Sequence, residues 1–376
     1  MIVHNKSFYT KVASWIGLGL MALAAGCAAQ KPVENQVRPA WPPPPQQARI
    51  EFVRTISTED DVEHDTTFTQ KVTEFLAGTK EGPTHIVEPD GLAVSDDGSV
   101  LYVADRAQGA VFVFDFGKKK FLKVGADNGG LEWPIGVALD GEQNIYVAEQ
   151  GKKAITVFDP SGKQLRSITD SSLERPSGIA IDRERRRLYV ADTSHATSKE
   201  HTVKIFSLDG KLIGKIGGEK GYAPGHFLFP TYVWVDSNGD VYVTDTMNCR
   251  VQAFSPDGKY LRSYGERGDA WGQFNRPKGV ALDTFHNVYV VDSGWSNVQI
   301  FNPPGQILLF FGGRGPLPGQ LKNATALTID KNNRIYVGDY LNHRIEVYQL
   351  VNTTAADSVP DSGAPPAAPA TDSPKS

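Results

Sequence analysis

The chain has 376 residues, 40% of them hydrophobic and 22% charged, and a formal net charge of −4. Lys and Arg are dispersed among the acids, so the basic stripe that displaces counterions from phosphate is missing and no nucleic-acid partner is expected. The 37 Gly and 24 Pro make the sequence rich in turns, as many short strands require.

The N-terminus reads as a targeting segment. Lys6 and Lys11 accompany a short apolar run, Val12 to Ala25, and the stretch ends in Leu23-Ala-Ala-Gly-Cys27. Small residues before a Cys resemble a bacterial lipobox, whose thiol is diacylated so that Cys27 becomes the mature N-terminus. The Leu stands one place further upstream than a lipobox usually has it. Secretory cleavage and an uncleaved anchor compete with this reading; the anchor is disfavoured because the run is shorter than the ~20 apolar residues that span a bilayer. Residues 1–26 are therefore read as a lipoprotein signal peptide, with lipidation at Cys27. The expected location is extracytoplasmic and membrane-anchored. Ala28 in place of Asp after the Cys favours the outer membrane, on its periplasmic or cell-surface side. The other cysteine, Cys249, lies inside a repeat, so no intramolecular disulfide is expected.

Residues 27–48 are polar and Pro-rich, including Trp41-Pro-Pro-Pro-Pro45, and read as a semi-rigid spacer. Arg49 to Ile56 alternates apolar and polar with period two and is expected to be a strand. It matches the segments that close later repeats, such as Gln164 to Ile168 and Tyr260 to Tyr264, yet it stands ahead of the first repeat. The last repeat lacks its closing strand. An orphan at one end and a gap at the other are the closure device of a β-propeller. Between residues 57 and 88 lies an acidic insertion, with Phe68 to Ala77 spaced as a short helix, expected to pack against an end or rim.

One phrase then recurs six times: a strand of the form Tyr-Val-x-Asp, a turn, and a strand ending on an aromatic. Its acidic markers are Asp105, Glu149, Asp192, Asp245, Asp292 and Asp339, at intervals of 44, 43, 53, 47 and 47 residues. Periods of about 40–50 with four short strands each indicate propeller blades. The long third interval holds an insertion, Ser194 to His201. The expected fold is all-β, a six-bladed β-propeller over residues 49–350, closed by the N-terminal strand that completes the last blade. Past Val351 the composition is that of a disordered tail, residues 351–376.

Asp245-Thr-Met-Asn-Cys-Arg-Val251 and Asp339-Tyr-Leu-Asn-His-Arg-Ile345, each after Tyr-Val-x, resemble NHL repeats. The Gly-rich loops Gly225 to Pro230 and Gly272 to Pro277 fit the same repeat, and the resemblance covers about residues 85–350. The layout is similar to that of bacterial NHL lipoproteins. The resemblance implies a propeller but assigns no activity, because folds host sites without determining them.

The repeated carboxylates allow two readings. Each caps its own turn, accepting backbone N–H bonds or pairing with Arg250 and Arg344, or the ring forms a cation site on one face of the propeller. Recurrence in every blade favours the first. Peptide-amidating lyases of this type place zinc-binding His in the Pro-x-Gly slot of the inner strands, where this chain has Gly91, Gly136, Gly178, Tyr232, Gly279 and Ala326. Lactonase-like propellers use Glu, Asn and Asp on calcium; here Asn248, Asn297 and Asn342 sit in the repeated turn. Calcium stays open and no other cofactor is expected. No Gly-x-Ser-x-Gly nucleophile motif is present. The candidate binding face comprises the six acidic markers and Tyr232, together with the two insertions. The expected function is a binding scaffold for protein, peptide or glycan. The alternative is a metal-dependent hydrolase or lyase at the channel mouth.

Overall fold

Strands of Val, Ile, Tyr and Phe that are apolar on both faces must be covered on both faces. The chain solves this by stacking sheet against sheet around an axis. The computed structural model describes residues 38–62, 82–127 and 129–358. It contains six radial antiparallel sheets, five of four strands and one of five. Their inner strands are Pro89–Val94, Pro134–Leu139, Pro176–Asp182, Pro230–Val235, Pro277–Leu282 and Ala324–Ile329. Each packs on the next, and the last packs on the first, so the ring closes as a six-bladed β-propeller.

The recurring phrase forms the second and third strands of each blade. In blade 5, Val288–Asp292 pairs with Pro277–Leu282 on one edge and Asn297–Phe301 on the other, and it is buried throughout. The core is divided into six apolar clusters lying between successive blades. The glycine of Pro-x-Gly permits that packing. A Cβ on Gly91 would lie 2.2 Å from the Ile135 carbonyl oxygen, and one on Gly136 2.3 Å from that of Ser177. Adjacent inner strands meet backbone to backbone there.

Closure follows the expected plan. Ile50–Ile56 pairs antiparallel with Arg344–Leu350 as the outer strand of blade 6, with Ile50 and Ile56 fully buried. The fold reaches further on both sides than composition suggested. Ala40–Trp41 adds a short fifth strand, because the Trp41 indole packs on Tyr348 at 5.7 Å and Phe311 at 6.0 Å. After the last strand, the Val351 N–H donates to the Arg49 carbonyl (2.8 Å) and Asp357 pairs with Arg49 (2.9 Å). The two ends of the 57–88 insertion place Val62 and Ile86 in the seam between blades 6 and 1. The helix expected over 68–77 lies outside the described residues, as does the rest of the tail from 359.

Blade 6 also holds a buried acid at this closure. Glu346 faces Thr55 of the closing strand, whose hydroxyl donates to it at 3.0 Å, and lies 2.8 Å from Arg344. Arg344 also pairs with Asp339 (3.1 Å), so one guanidinium serves two buried carboxylates. Burial outweighs the half-share of positive charge and pushes Glu346 up to about 7. The folded state thus holds this proton more tightly than the unfolded chain. Its stability contribution is full below the ordinary glutamate range and is lost as pH rises through about 7. The melting temperature of the wild type should therefore fall between about pH 5 and about pH 8 more steeply than that of Glu346→Gln. Parallel slopes in a calorimetric pH series would sink this assignment.

Candidate functional site

The six acidic markers are all fully buried. A carboxylate without water needs donors from the protein, and each finds them in the loop that enters its own blade. The bond recurs at a fixed offset of 17 residues: the N–H of Glu88, Glu132, Arg175, Leu228, Asn275 and Lys322 donates to Asp105, Glu149, Asp192, Asp245, Asp292 and Asp339, respectively. Further donors complete each set. Asp292 takes the N–H groups of Arg276, Gly294 and Trp295 at 3.1, 2.8 and 3.2 Å. Arg250 and Arg344 reach Asp245 and Asp339 through Nε at 3.0 and 3.1 Å. Glu149 bonds Thr156 and Lys152, and Asp192 pairs with the buried ammonium of Lys204. Burial raises the Asp245 and Asp339 carboxyls above the ordinary range. The turn-capping role accounts for every member, and none of the six presents a free oxygen on an open binding face.

Tyr232 behaves differently. It occupies the slot that holds Gly or Ala in the other blades, so its side chain turns into the central channel. Its hydroxyl donates to the Asp90 carbonyl at 2.7 Å. Tyr232 is in blade 4 and Asp90 in blade 1, which face each other across the axis, so one phenol crosses the channel and closes it. On the side of the hairpins that follow the inner strands, the channel remains a blind funnel of about 730 Å³ with Tyr232 at its floor. Leu92, Val137, Ile179, Trp234, Val280 and Leu327 contribute to its wall. Its rim is charged: Arg183 pairs with Asp96 at 2.8 Å and Lys331 with the same carboxylate at 2.6 Å, tying blades 3 and 6 to blade 1.

The inner strands also share the position just before that slot, which follows Pro in five of them and Ala in the sixth. Its occupants are Asp90, Ile135, Ser177, Thr231, Lys278 and Thr325. The hydroxyls serve the scaffold: Ser177 donates to the Thr231 carbonyl (3.0 Å) and Thr325 to that of Pro89 (2.7 Å). Thr231 bonds Thr246 (2.6 Å), which donates to Pro277 (3.0 Å). The two charged members do not join in. Asp90 is 8% exposed and its Oδ2 has no hydrogen-bond partner, although Arg106 Nε lies 3.3 Å away. Burial pushes its carboxyl up to about 6, against the pull of Arg106 and Lys278. Burial also lowers the Lys278 ammonium. A lone carboxylate beside an ammonium is a poor donor set for a divalent cation, which gathers several oxygens. Sequence reasoning looked at the Gly slot and missed its neighbour; the signal was an acid and a base at a position that otherwise carries small or apolar side chains.

Only the ends of the insertion Ser194 to His201 are buried, and residues 195–197, 199 and 200 are exposed. His201 is fully buried and its Nδ1 accepts the Phe229 N–H at 2.9 Å. Asn248 and Asn342 donate to Asp245 and Asp339 at 2.7 and 2.6 Å, within the turn. Cys249 is buried, with burial raising its thiol, and donates to the Asn275 carbonyl. Among the described residues no three His, Cys, Asp or Glu are grouped to hold a metal ion.

Two family models match the sequence: the SMP-30/gluconolactonase/LRE-like region over residues 78–194, and the NHL repeat over residues 227–254. NHL repeat-containing protein 2 of Homo sapiens is 27% identical over 35% of this chain, which spans 20% of that protein's length. NHL repeat-containing protein 3 of Mus musculus is 30% identical over 46% of this chain and 54% of its own. Among solved structures, streptogramin B lyase superposes with a TM-score of 0.52 at 12% identity, covering 70% of this chain and 94% of that one, a likeness of fold alone.

If the carboxylates hold the blades, Asp292→Ala leaves four N–H groups without an acceptor and should cost about 3 kcal/mol or more. Asp269→Ala, at an exposed loop position, should change stability by less than about 0.5 kcal/mol. Urea unfolding of the two variants decides, and equal midpoints would refute the capping role.

Proposed function

We propose that this NHL-repeat β-propeller is a lipid-anchored, extracytoplasmic binding scaffold for a protein, peptide or glycan partner. The observation that carries the reading is the commitment of all six repeated carboxylates to internal bonds. What the ring leaves open is a blind, apolar-walled funnel with a charged rim. Such a concavity takes an apolar group projecting from a larger partner, while the rim meets the polar surroundings of that group. The lipobox-like stretch ending at Cys27 supports a tether of the propeller to a membrane.

Two measurements test the halves separately. Cys27→Ser should move the protein from the membrane to the soluble fraction, and unchanged fractionation refutes the lipid anchor. Trp234 lines the funnel. Partners captured on the wild-type protein should be lost with Trp234→Ala and kept with Leu165→Ala, which alters an exposed outer-strand position. Metal-dependent turnover of a lactone or of an amidated-peptide precursor by the purified protein would replace the scaffold reading with an enzymatic one.

A further inference from the structure

We propose that the end of the propeller at which the chain enters blades 4, 5 and 6 docks on the surface of a lipid bilayer, leaving the funnel mouth, at the opposite end, open to its partner. The inference rests on the lipid-anchor reading of Cys27 for the nearness of the bilayer; the surface itself is argued from the fold.

Among the described residues twelve large apolar side chains are exposed. Five lie on outer strands, seven lie at the entry end, and none lies on the hairpins around the funnel mouth. Six of the seven fall on three consecutive blades, two to a blade: Tyr222 and Met247, Trp271 and Trp295, Leu317 and Leu341. The first of each pair stands on the entry loop, the second on the turn after the buried acid. The three loops share a build. The N–H of Gly221, Gly268 and Gly315 donates to the carbonyl of Phe227, Phe274 and Leu321, each at 3.1 Å, and those three side chains are fully buried. A buried foot thus holds each apolar tip at the surface.

The pieces join around the arc. Asn248 Nδ2 donates to the Gly221 carbonyl (2.9 Å), Arg267 Nη2 to that of Met247 (2.6 Å) and the Ser293 N–H to that of Arg276 (3.0 Å). Arg314 Nη2 reaches the Gly294 carbonyl (3.4 Å) and Asn342 Nδ2 that of Gly315 (3.0 Å). The six side chains belong to one continuous run of loops.

A contiguous exposed apolar patch marks an interaction surface, and three observations favour a bilayer as what covers it. Its aromatic members are Tyr and Trp, whose amphipathic rings settle at the headgroup level of membranes. The entry loops, residues 220–229, 265–276 and 313–323, carry five exposed Lys or Arg against two exposed acids, in a chain of net charge −4, which suits anionic headgroups. The anchored end of the chain also joins the fold here. A Cβ on Gly319, in the loop of Leu317, would lie 3.0 Å from the Trp41 indole and 3.2 Å from Pro39. Twelve residue steps back from Pro39 to Cys27 span about 40 Å at full extension. At the local concentration so short a tether imposes, contacts too weak to hold a free protein suffice to orient a bound one.

The test is tryptophan fluorescence of the purified full chain on vesicles of phosphatidylcholine with a minority of phosphatidylglycerol, their acyl chains plain or brominated. Bromine in the bilayer should quench the wild type, and Trp271→Phe with Trp295→Phe should remove about half of that quenching or more. Leu317→Gln with Leu341→Gln, which keeps every tryptophan, should weaken the quenching as well. Leu165→Gln, on an outer strand, should leave it unchanged, and cooperative unfolding confirms that each variant is folded. A wild type that is anchored but not quenched, or quenching that both double variants retain, overturns the docking surface and leaves the anchor standing. So does a soluble dimer that the leucine double variant splits, since a second copy then covers the arc. Quenching of a protein whose fractionation Cys27→Ser does not change supports the docking surface and refutes the anchor. A protein neither anchored nor quenched overturns both.

Discussion

The bond on which this propeller depends runs from a backbone N–H in the loop entering a blade to a carboxylate 17 residues later, at the end of the second strand. It closes a unit of loop, inner strand, hairpin and second strand into one cycle. The cycle has the same length in all six blades, although the whole repeats differ by up to ten residues. Variation is confined to segments outside it: the insertion after Asp192 comes beyond the carboxylate, as a loop over 193–199 and two longer strands after it. Because the acid is buried, the loop cannot drift without stranding a charge in an apolar setting. The inter-blade loops are thereby fixed.

The same constraint explains why the channel is shaped as it is. With glycine in the Pro-x-Gly slot, neighbouring inner strands come within backbone contact, which draws the ring tight around its axis. Tyr232 breaks that rule in one blade, and the side chain has only the axis to occupy. A phenol long enough to reach the opposite blade ends on the Asp90 carbonyl. One large side chain in one repeat thus spans the axis and forms the floor of the funnel.

Much of this was legible in the sequence. Strand count, blade count and terminal closure follow from periodicity, because a phrase that recurs six times with an orphan strand at one end has few other ways to hide its edges. The capping role of Asp245 and Asp339 was legible too, since Arg250 and Arg344 stand at a fixed distance behind them. What sequence could not show was destination across the ring. Nothing local to Tyr232 says that its hydroxyl ends on a residue 142 positions away. Trp41 reads as spacer because it precedes four prolines, and only the tertiary surface formed by Phe311 and Tyr348 packs it, partly buried, against the core.

The six positions just before the Gly slot show what the ring demands there and what it tolerates. Thr325 and Ser177 show what closure requires there: a short hydroxyl that donates to a carbonyl of the adjoining blade. Ile135 shows that even this is dispensable. Neither Asp90 nor Lys278 supplies such a bond with its side chain, and each sets a charge in a place where charge is disfavoured, as the upward displacement of the one and the downward displacement of the other reflect. The Arg106 guanidinium, 3.3 Å from Asp90, offsets part of the cost of burying that charge, so a position that tolerates isoleucine in one blade also tolerates an acid where a base stands beside it.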